Sequence, residues 1–271
     1  MYLTRHQVGG SRWALDGRLL PGDFELRRLL ELPNATVPSF LRGIVRTDAA
    51  ASGPLLAPVD PFTEVWAAGV TYLRSREARE AESTVSDLYS RVYEAERPEL
   101  FFKAIGWRVS GHGVPIRIRH DSLWNVPEPE LTLVINAPGE IVGFCAGNDV
   151  SSRDIEGANP LYLPQAKIYD GACALGPGIS LCDADTLGNL SIELAVTRDG
   201  HAIFASETST SRIKRPLREL VDYLRKELEF PHGVFLMTGT GIVPPDDFSL
   251  TGGDHVRITI GDLTLENEVA R

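Results

Sequence analysis

The stretch Val126-Pro127-Glu128-Pro129-Glu130 sets the interpretation of this chain, because it fixes two carboxylates in extended backbone. A residue that precedes proline is pushed out of the helical region, so Val126 and Glu128 are both expected to be extended. Side chains two residues apart along an extended chain point to the same side. We therefore predict that Glu128 and Glu130 share one face.

A third carboxylate follows at the end of the next apolar run, since Asn148-Asp149 comes directly after the predicted strand Ile141 to Ala146. Three neighbouring carboxylates cannot all stay ionised unless a positive charge lies among them. Oxygen ligands without imidazole or thiolate favour Mg²⁺, with Mn²⁺ or Ca²⁺ as substitutes, over Zn²⁺. We expect Glu128, Glu130 and Asp149 to hold such a cation. The alternative for this spacing is a solvated edge strand with acidic side chains.

The composition excludes several classes of partner. Acidic residues outnumber basic ones by 37 to 27, the net charge is -10, and no cluster of Lys or Arg offers a phosphate-binding surface. No apolar run reaches the roughly 20 residues of a membrane span, and Met1 to Trp13 lacks the layout of a secretory signal. We expect a soluble, cytoplasmic protein with neither nucleic acid nor membrane as a partner. The three cysteines have no C-x-x-C spacing, which predicts reduced thiols.

The residue pattern predicts a mainly β protein of α+β class in two parts. Residues 1–60 are expected to form a small N-terminal domain and residues 61–271 a catalytic domain, with a connector over residues 49–61. Helices are predicted over Glu25–Leu32 and Arg76–Glu96, and from Pro216 through Leu228. Strands are predicted at Val65–Val70, Ile116–Arg119, Leu131–Asn136, Ile141–Ala146, Leu190–Thr197, Ala202–Glu207, Val234–Met237, Val256–Ile260 and Leu263–Glu268.

Two further segments and two lysines have features that are typical of a site. The connection from Val150 to Lys167 alternates charged residues with proline, as functional loops often do. The run Thr238-Gly239-Thr240 places hydroxyls and amides at the end of a strand, where they can wrap a carboxylate, although an ordinary turn is the simpler explanation. Lysine is scarce, and its compact ammonium makes Lys103 and Lys167 candidates for a site.

Several of these segments occur together in one known family. The chain resembles the fumarylacetoacetate hydrolase family in Glu128-Pro129-Glu130, Asn148 through Asp154, Lys167 and Thr238-Gly239-Thr240. The resemblance runs from about residue 64 to the C-terminus and implies a mixed β-roll with a small N-terminal domain, assembled as a homodimer or higher homo-oligomer. It also implies metal ligands at Glu128, Glu130 and Asp149, an active-site lysine at Lys167, and a substrate-carboxylate threonine at Thr240 or Thr238.

One departure from the family bears on the reaction. Hydrolases of the family carry Gly-x-Asn-Tyr and, three residues later, a histidine that activates water, whereas this chain has Gly69-Val70-Thr71-Tyr72 and then Ser75. A general base is therefore missing at that position. The segments Arg97–Ala104, Gly111–Gly113 and Glu156–Lys167 resemble the sugar-acid dehydratases of the family. This resemblance implies a Mg²⁺-dependent hydro-lyase that dehydrates a 2-keto-3-deoxy pentonate to 2,5-dioxopentanoate.

The implied reaction assigns roles to the residues around the carboxylates. A cation that chelates a 2-oxo acid makes its C3 protons more acidic, because it stabilises the enolate that forms. Lys167 is the candidate to donate to that oxyanion or to move the C3 proton. Glu99, and behind it Glu156, are the candidate acid-base partners, although Glu99 could also be an exposed residue at a helix end. The substrate is expected to contact Tyr72, Lys103, Arg153, Thr238, Gly239 and Thr240, with orientation of Asp149 as a second role for Arg153.

Two other functions are consistent with the same residues. A carbon-carbon bond hydrolase of acylpyruvate or fumarylacetoacetate-type diketo acids would need another group in place of the missing base. A catalytically silent relative would bind a metal-chelated oxo acid without turnover, or would serve only as a subunit of an oligomer. A panel of substrates, tested with and without a chelator, separates these three functions.

Overall fold

Most of the chain forms β-strands, which confirms the predicted mainly β class. The computed structural model describes residues 1–44, 49–75, 77 and 86–270. Its strands are β1 (Tyr2–Gln7), β2 (Ser11–Leu15), β3 (Arg18–Leu19), β4 (Leu55–Leu56), β5 (Glu64–Gly69), β6 (Glu99–Ile105), β7 (Asn125–Val126), β8 (Pro129–Ile135), β9 (Ile141–Asp149), β10 (Ser151–Ser152), β11 (Cys173–Leu181), β12 (Ser191–Arg198), β13 (His201–Ser209), β14 (Val234–Met237), β15 (His255–Ile260) and β16 (Leu263–Glu268). Its α-helices are α1 (Leu26–Leu30), α2 (Val37–Gly43), α3 (Ser86–Glu94), α4 (Arg153–Ala158), α5 (Leu163–Lys167) and α6 (Leu217–Leu224).

One large mixed sheet runs through the molecule in the order β3-β2-β1-β11-β9-β8-β14-β5-β6, with β4 paired to β1. Its pairs are antiparallel except β14 with β5, which is parallel. The N-terminal strands extend this sheet, because Leu3 of β1 lies opposite Ile179 of β11. These strands were not predicted. Buried Thr4 and His6 interrupt the apolar alternation of β1 and bond to each other at 2.8 Å.

The large sheet curls into a roll. Strand β6 lies four places from β9 in the sheet order, which in a flat sheet corresponds to about 19 Å. Nevertheless, Lys103 Nζ of β6 donates to the carbonyl of Val150, directly after β9, at 3.2 Å. Farther along the chain, Ser110 N donates to Cys173 O of β11 at 2.9 Å. The β6 end of the sheet therefore folds back toward β9 and β11, as the predicted β-roll requires.

A second, four-stranded sheet has the order β13-β12-β15-β16. Strands β12 and β13 form the predicted hairpin, and its turn residues Asp199 and Gly200 both have positive φ, at 50° and 79°. Such a left-handed pair is what a tight hairpin turn requires. The hairpin prediction is confirmed.

Alternate residues of the central strands enter two different cores. Leu131, Leu133 and Ile135 of β8 pack between the sheets with the second sheet and α6, whereas Val134 packs with the N-terminal elements. Burial on both faces explains why these strands appear in the sequence as nearly continuous apolar runs. The division into residues 1–60 and 61–271 stays a prediction, and the N-terminal unit shares a sheet and a core with the rest of the chain.

Several predicted elements differ from the structure. Ile116–Arg119 is not a strand, because successive residues bond to different segments: Ile116 N to Glu268 O and Arg117 N to Gly171 O. Helix α6 ends at Leu224, so Leu228 lies outside it and is 41% exposed. Helix α3 covers part of the predicted Arg76–Glu96 helix, and residues 76 and 78–85 of that prediction lie outside the described residues. Strands β6 and β11 were not predicted.

All three cysteines are free thiols, as predicted. Cys145 and Cys173 are buried, and burial raises the pKa of the Cys173 thiol to about 12. Within the described residues, no helix combines the length and the apolar character needed to cross a membrane. Cytoplasmic location stays a prediction.

Candidate metal centre and active site

The three predicted carboxylates lie together where β8 and β9 pair. Glu130 is in β8 opposite Gly147, Asp149 ends β9, and Asp149 N donates to the carbonyl of Glu128 at 2.9 Å. One carboxylate oxygen from each residue lies within 4.8 Å of the other two. Glu128, Glu130 and Asp149 are 3%, 1% and 1% exposed. The alternative of a solvated edge strand is therefore wrong.

Each carboxylate has one oxygen in contact with a polar group of the surrounding structure, through an ion pair for Glu128 and Asp149 and a hydrogen bond for Glu130. These contacts join Arg153 Nη2 to Glu128 Oε1 at 3.0 Å, Lys103 Nζ to Asp149 Oδ1 at 2.5 Å, and the Gly239 amide to Glu130 Oε2 at 2.6 Å. Partners of this kind orient metal ligands in proteins. The arrangement fixes the three carboxylates before any ligand binds.

Lys167 places its ammonium between two of the carboxylates. Its Nζ donates to Glu128 Oε2 at 2.7 Å and to Asp149 Oδ2 at 3.1 Å. The lysine ends the short helix α5, and Lys103 Nζ holds its carbonyl at 2.6 Å. The predicted active-site lysine therefore lies inside the acidic cluster and is buried there.

The charges of the site favour a hard divalent cation. In the described part of the chain, no Lys or Arg nitrogen lies within 4 Å of the Glu130 carboxylate. Burial, and then the charges of Asp149 and Glu128, raise the pKa of Glu130 well above its usual value, against the opposing effect of Lys167. The site offers buried oxygen donors, and Glu130 has no cation in contact with it among the described residues, which is an environment that suits Mg²⁺. The residues present therefore fit this ion.

Both predicted acid-base carboxylates line the cavity beside the cluster. Glu99 begins β6 and packs against Gly69. Any side chain at position 69 would collide with the Glu99 carboxylate. Because Glu99 begins a strand, the helix-end alternative for this residue is wrong. Glu156 is 5% exposed and accepts a hydrogen bond from Ser151 Oγ at 2.7 Å. Ser75 is also buried in the wall of this cavity.

The structure separates the two threonines that the resemblance left open. Gly239 and Thr240 line the cavity, and Thr240 Oγ1 exchanges 3.2 Å hydrogen bonds with the backbone of Ile242. Thr238 is outside the lining, and its hydroxyl donates to the carbonyl of Leu131 at 2.9 Å. Of the two threonines, Thr240 is therefore the one that lines the cavity.

Besides Thr238, three residues predicted to bind substrate lie outside the lining of this cavity. Arg153 contacts Glu128, rather than Asp149 as expected, and Lys103 contacts Asp149 and two backbone carbonyls. Both cations therefore contact the carboxylates without lining the cavity, Lys103 from strand β6 and Arg153 from the start of α4. Tyr72 lines a neighbouring cavity of about 740 Å³, and its buried hydroxyl has no hydrogen-bond partner within the described residues. Burial and the charge of Glu130 raise the pKa of the Tyr72 hydroxyl.

Three apolar residues of the cavity wall were not identified from the sequence: Ala68, Val70 and Phe101. In a sequence they are indistinguishable from core residues. Their position beside the segments that resemble the family is the one signal that could have identified them. Val70 has a φ of 52°, which is unusual for a β-branched residue and indicates local strain.

Similarity to known proteins agrees with this geometry. Residues 64–270 match the family described as fumarylacetoacetate (FAA) hydrolase C-terminal. The chain is 48% identical over 224 residues to the probable 2-keto-3-deoxyxylonate dehydratase of Haloferax volcanii, which covers 82% of this chain and 77% of that protein. It is also 43% identical over 213 residues to the 2-dehydro-3-deoxy-D-arabinonate dehydratase of Saccharolobus solfataricus. The aligned region covers 76% of this chain and 70% of that protein.

A solved structure is similar over the whole chain. It is that of 2-keto-3-deoxy-D-arabinonate dehydratase complexed with magnesium and 2,5-dioxopentanoate, with a TM-score of 0.84, 33% identity, and coverage of 100% of this chain and 99% of that one. With the family match over residues 64–270, these similarities confirm the resemblance. This chain belongs to the fumarylacetoacetate hydrolase family.

Proposed function

We propose that this protein is a Mg²⁺-dependent hydro-lyase that dehydrates a 2-keto-3-deoxy pentonate, such as 2-keto-3-deoxy-D-arabinonate, to 2,5-dioxopentanoate. The observation that carries the proposal is the buried cluster of Glu128, Glu130 and Asp149 beside a cavity lined by two further carboxylates. The similarity to two dehydratases of such acids, and to a structure that holds magnesium and 2,5-dioxopentanoate, supports the same reaction.

The three clustered carboxylates would hold the ion. When bound, Mg²⁺ supplies Lewis-acid stabilisation of the negative charge that a 2-oxo acid develops as it loses a C3 proton. Lys103 and Arg153 would keep Asp149 and Glu128 in place through ion pairs, and the Gly239 amide would do the same for Glu130 through a hydrogen bond. Gly239 and Thr240 line the cavity, and because the Gly239 amide already donates to Glu130, we assign contact with the substrate carboxylate to the hydroxyl of Thr240.

The proton inventory of the reaction needs several acid-base groups. Elimination removes one C3 proton and the C4 hydroxyl, which leaves as water. Conversion of the resulting C3–C4 alkene to the product then moves a C5 proton to C3 and the C5 hydroxyl proton to C4. We assign to Lys167 donation to the oxyanion or movement of the C3 proton, which its position inside the acidic cluster supports, and to Glu99 and Glu156, whose carboxyl groups line the cavity, the remaining acid-base steps.

The carbon-carbon hydrolase alternative has weaker support. It needs a base that activates water, and Ser75 lines the cavity at the position where the family's hydrolases carry histidine. Within the described residues, the lining of this cavity includes no histidine. A serine hydroxyl is not a base near neutral pH, so the geometry favours loss of water from the substrate over attack by water.

The test is a substrate panel with the purified protein. We expect 2-keto-3-deoxy pentonates and Mg²⁺ to yield 2,5-dioxopentanoate, measured as aldehyde through a coupled aldehyde dehydrogenase, and we expect a chelator to stop the reaction. Acylpyruvates are followed in parallel through loss of their ultraviolet absorbance. Absence of aldehyde from every C4 stereoisomer would remove the dehydratase proposal, and cleavage of an acylpyruvate would replace it with the hydrolase.

The proposal also includes three features of the whole protein. These are a homodimer or higher homo-oligomer, a cytoplasmic location, and a small N-terminal domain of residues 1–60 before a catalytic domain of residues 61–271. Light scattering coupled to size-exclusion chromatography tests the first, since a mass near 29.7 kDa would indicate a monomer and contradict it.

A further inference from the structure

One peptide unit beside the metal centre is held from both of its sides. The carbonyl of Thr238 accepts a hydrogen bond from Thr71 Oγ1 at 2.6 Å, and the amide of Gly239 donates to Glu130 Oε2 at 2.6 Å. These two groups belong to the same peptide bond. Thr71 and Thr238 are 1% and 0% exposed, so water does not compete for either bond.

The geometry of a peptide bond links these two contacts. The unit is planar and trans, so its C=O and its N–H point in opposite directions. A hydroxyl that fixes the carbonyl therefore also fixes the direction of the N–H. A donor on the carbonyl further polarises the unit, which strengthens the N–H as a donor in a buried site. Thr71 thus acts on Glu130 through one rigid group.

The surroundings leave this peptide unit little freedom. Gly239 has a φ of 89°, and a side chain there would collide with Thr71 Oγ1. Thr238 is also tied to the strand of Glu130, because its amide and its hydroxyl both donate to the carbonyl of Leu131, at 3.1 and 2.9 Å. The carbonyl of Thr71 accepts from Lys214 N at 3.0 Å, which anchors the other end of the contact.

We propose that Thr71 is a positioning residue of the metal centre, which sets the orientation of the Glu130 carboxylate through the Thr238–Gly239 peptide. The residue lies outside the lining of the cavity and touches no reacting group. The inference rests on the proposed function, because it requires Glu130 to be a metal ligand. Glu130 is the carboxylate most dependent on such help, since the amide of Gly239 is its one hydrogen-bond donor within the described residues.

The test compares Mg²⁺ affinity among variants of the full chain by titration calorimetry, with Mn²⁺ and its electron paramagnetic resonance line shape as a second probe. Thr71→Val keeps the shape and removes the hydroxyl. Loss of such supporting partners typically weakens metal binding 10–100-fold, so we expect about a tenfold rise in Kd and an altered Mn²⁺ line shape. Thr71→Ser keeps the donor and should bind within about twofold of the parent.

Thr210→Val is the matched control for a loss of stability alone. Thr210 is also a buried threonine whose hydroxyl donates to a backbone carbonyl, that of Leu187, at 2.6 Å. It should lower the melting temperature at least as much as Thr71→Val does, because its hydroxyl also accepts from Leu190 N. Its affinity for Mg²⁺ should stay at the parent value.

A further variant separates failure of this inference from failure of the proposed metal site. Glu130→Gln must lose Mg²⁺ binding if Glu130 is a ligand, and parent-like binding by Glu130→Gln would overturn the metal site itself. If Glu130→Gln loses binding while Thr71→Val binds like the parent, or if Thr71→Ser is as weak as Thr71→Val, the role of Thr71 is refuted. Should Thr71→Val not fold, Thr71→Ala replaces it in the same comparison with Thr71→Ser.

Discussion

Replacement of Glu130 by glutamine should stabilise the metal-free protein while it destroys metal binding. The side chain is buried, no lysine or arginine within the described residues lies within 4 Å, and two other carboxylates are close by. A glutamine has the same shape, and its amide oxygen can accept the hydrogen bond of the Gly239 amide. The substitution therefore removes a charge that the metal-free fold has to accommodate.

The size of the effect follows from Coulomb's law. Two unit charges at the 4.8 Å that bounds the carboxylate separations repel by about 3 kcal/mol at an effective dielectric constant of about 20. Glu130 has two such neighbours, and attraction to Lys167 and uptake of a proton offset part of the repulsion. We expect a net gain of about 2 kcal/mol, which raises the melting temperature by roughly 5 °C for a chain of this length.

The gain should depend on pH with a defined sign. The pKa of Glu130 is raised in the folded protein by burial and by Asp149 and Glu128, so between its unfolded and folded pKa values the native state binds more protons than the unfolded state. The stability of the metal-free parent then falls as the pH rises through that window. Glutamine does not titrate, so the advantage of Glu130→Gln should widen from about pH 5 to about pH 8.

The assay is thermal unfolding with chelator and then with Mg²⁺. With Mg²⁺ at about 100 times its Kd, the parent should gain about 2.7 kcal/mol and Glu130→Gln should gain none, so the order of stability reverses. Glu193→Gln, which removes an exposed carboxylate of β12, is the control and should change neither value. A Glu130→Gln protein that melts below the parent in chelator at about pH 8 would refute the charge argument.

Two further substitutions test other contacts. Gly69→Ala should push the Glu99 carboxylate aside and lower kcat, whereas the Mg²⁺ affinity stays within about twofold of the parent, because Glu99 is not among the clustered carboxylates. Unchanged kcat would contradict a role for Glu99. Asp254→Asn should cost about 1–2 kcal/mol in urea unfolding, because it breaks contacts of 2.7 and 2.8 Å with a partly exposed Arg198. Burial raises the pKa of Asp254, but hydrogen bonds from Arg198 and the Thr251 amide outweigh it and lower the pKa. Stability from this pair is therefore lost as the pH falls through the folded pKa, and a cost that does not shrink on acidification would contradict this assignment.

The sequence by itself determined the features that depend on neighbouring residues. Proline restricts the residue before it, so the extended run that places Glu128 and Glu130 together could be predicted from five letters. The turn of the β12–β13 hairpin and the start of α6 were also predictable, because each depends on the residue types of a few neighbouring positions. The prediction failed where pairing partners are distant in the chain. Strand β1 was missed because its buried polar residues mask the apolar pattern. Ile116–Arg119 was wrongly predicted as a strand because its residues bond to separate segments.

Only the tertiary structure decided which side chains meet behind the site. Lys103 reaches Asp149 because the large sheet curls across four strand positions, and no local pattern records that curl. The choice of Glu128 as the partner of Arg153, and the contact of Thr71 with the peptide beside Glu130, likewise join segments far apart in the chain. Dihedral preferences act over a few residues, whereas the curvature of a sheet is set by the packing of both its faces. The sequence could therefore name the carboxylates, and the fold determined what holds them.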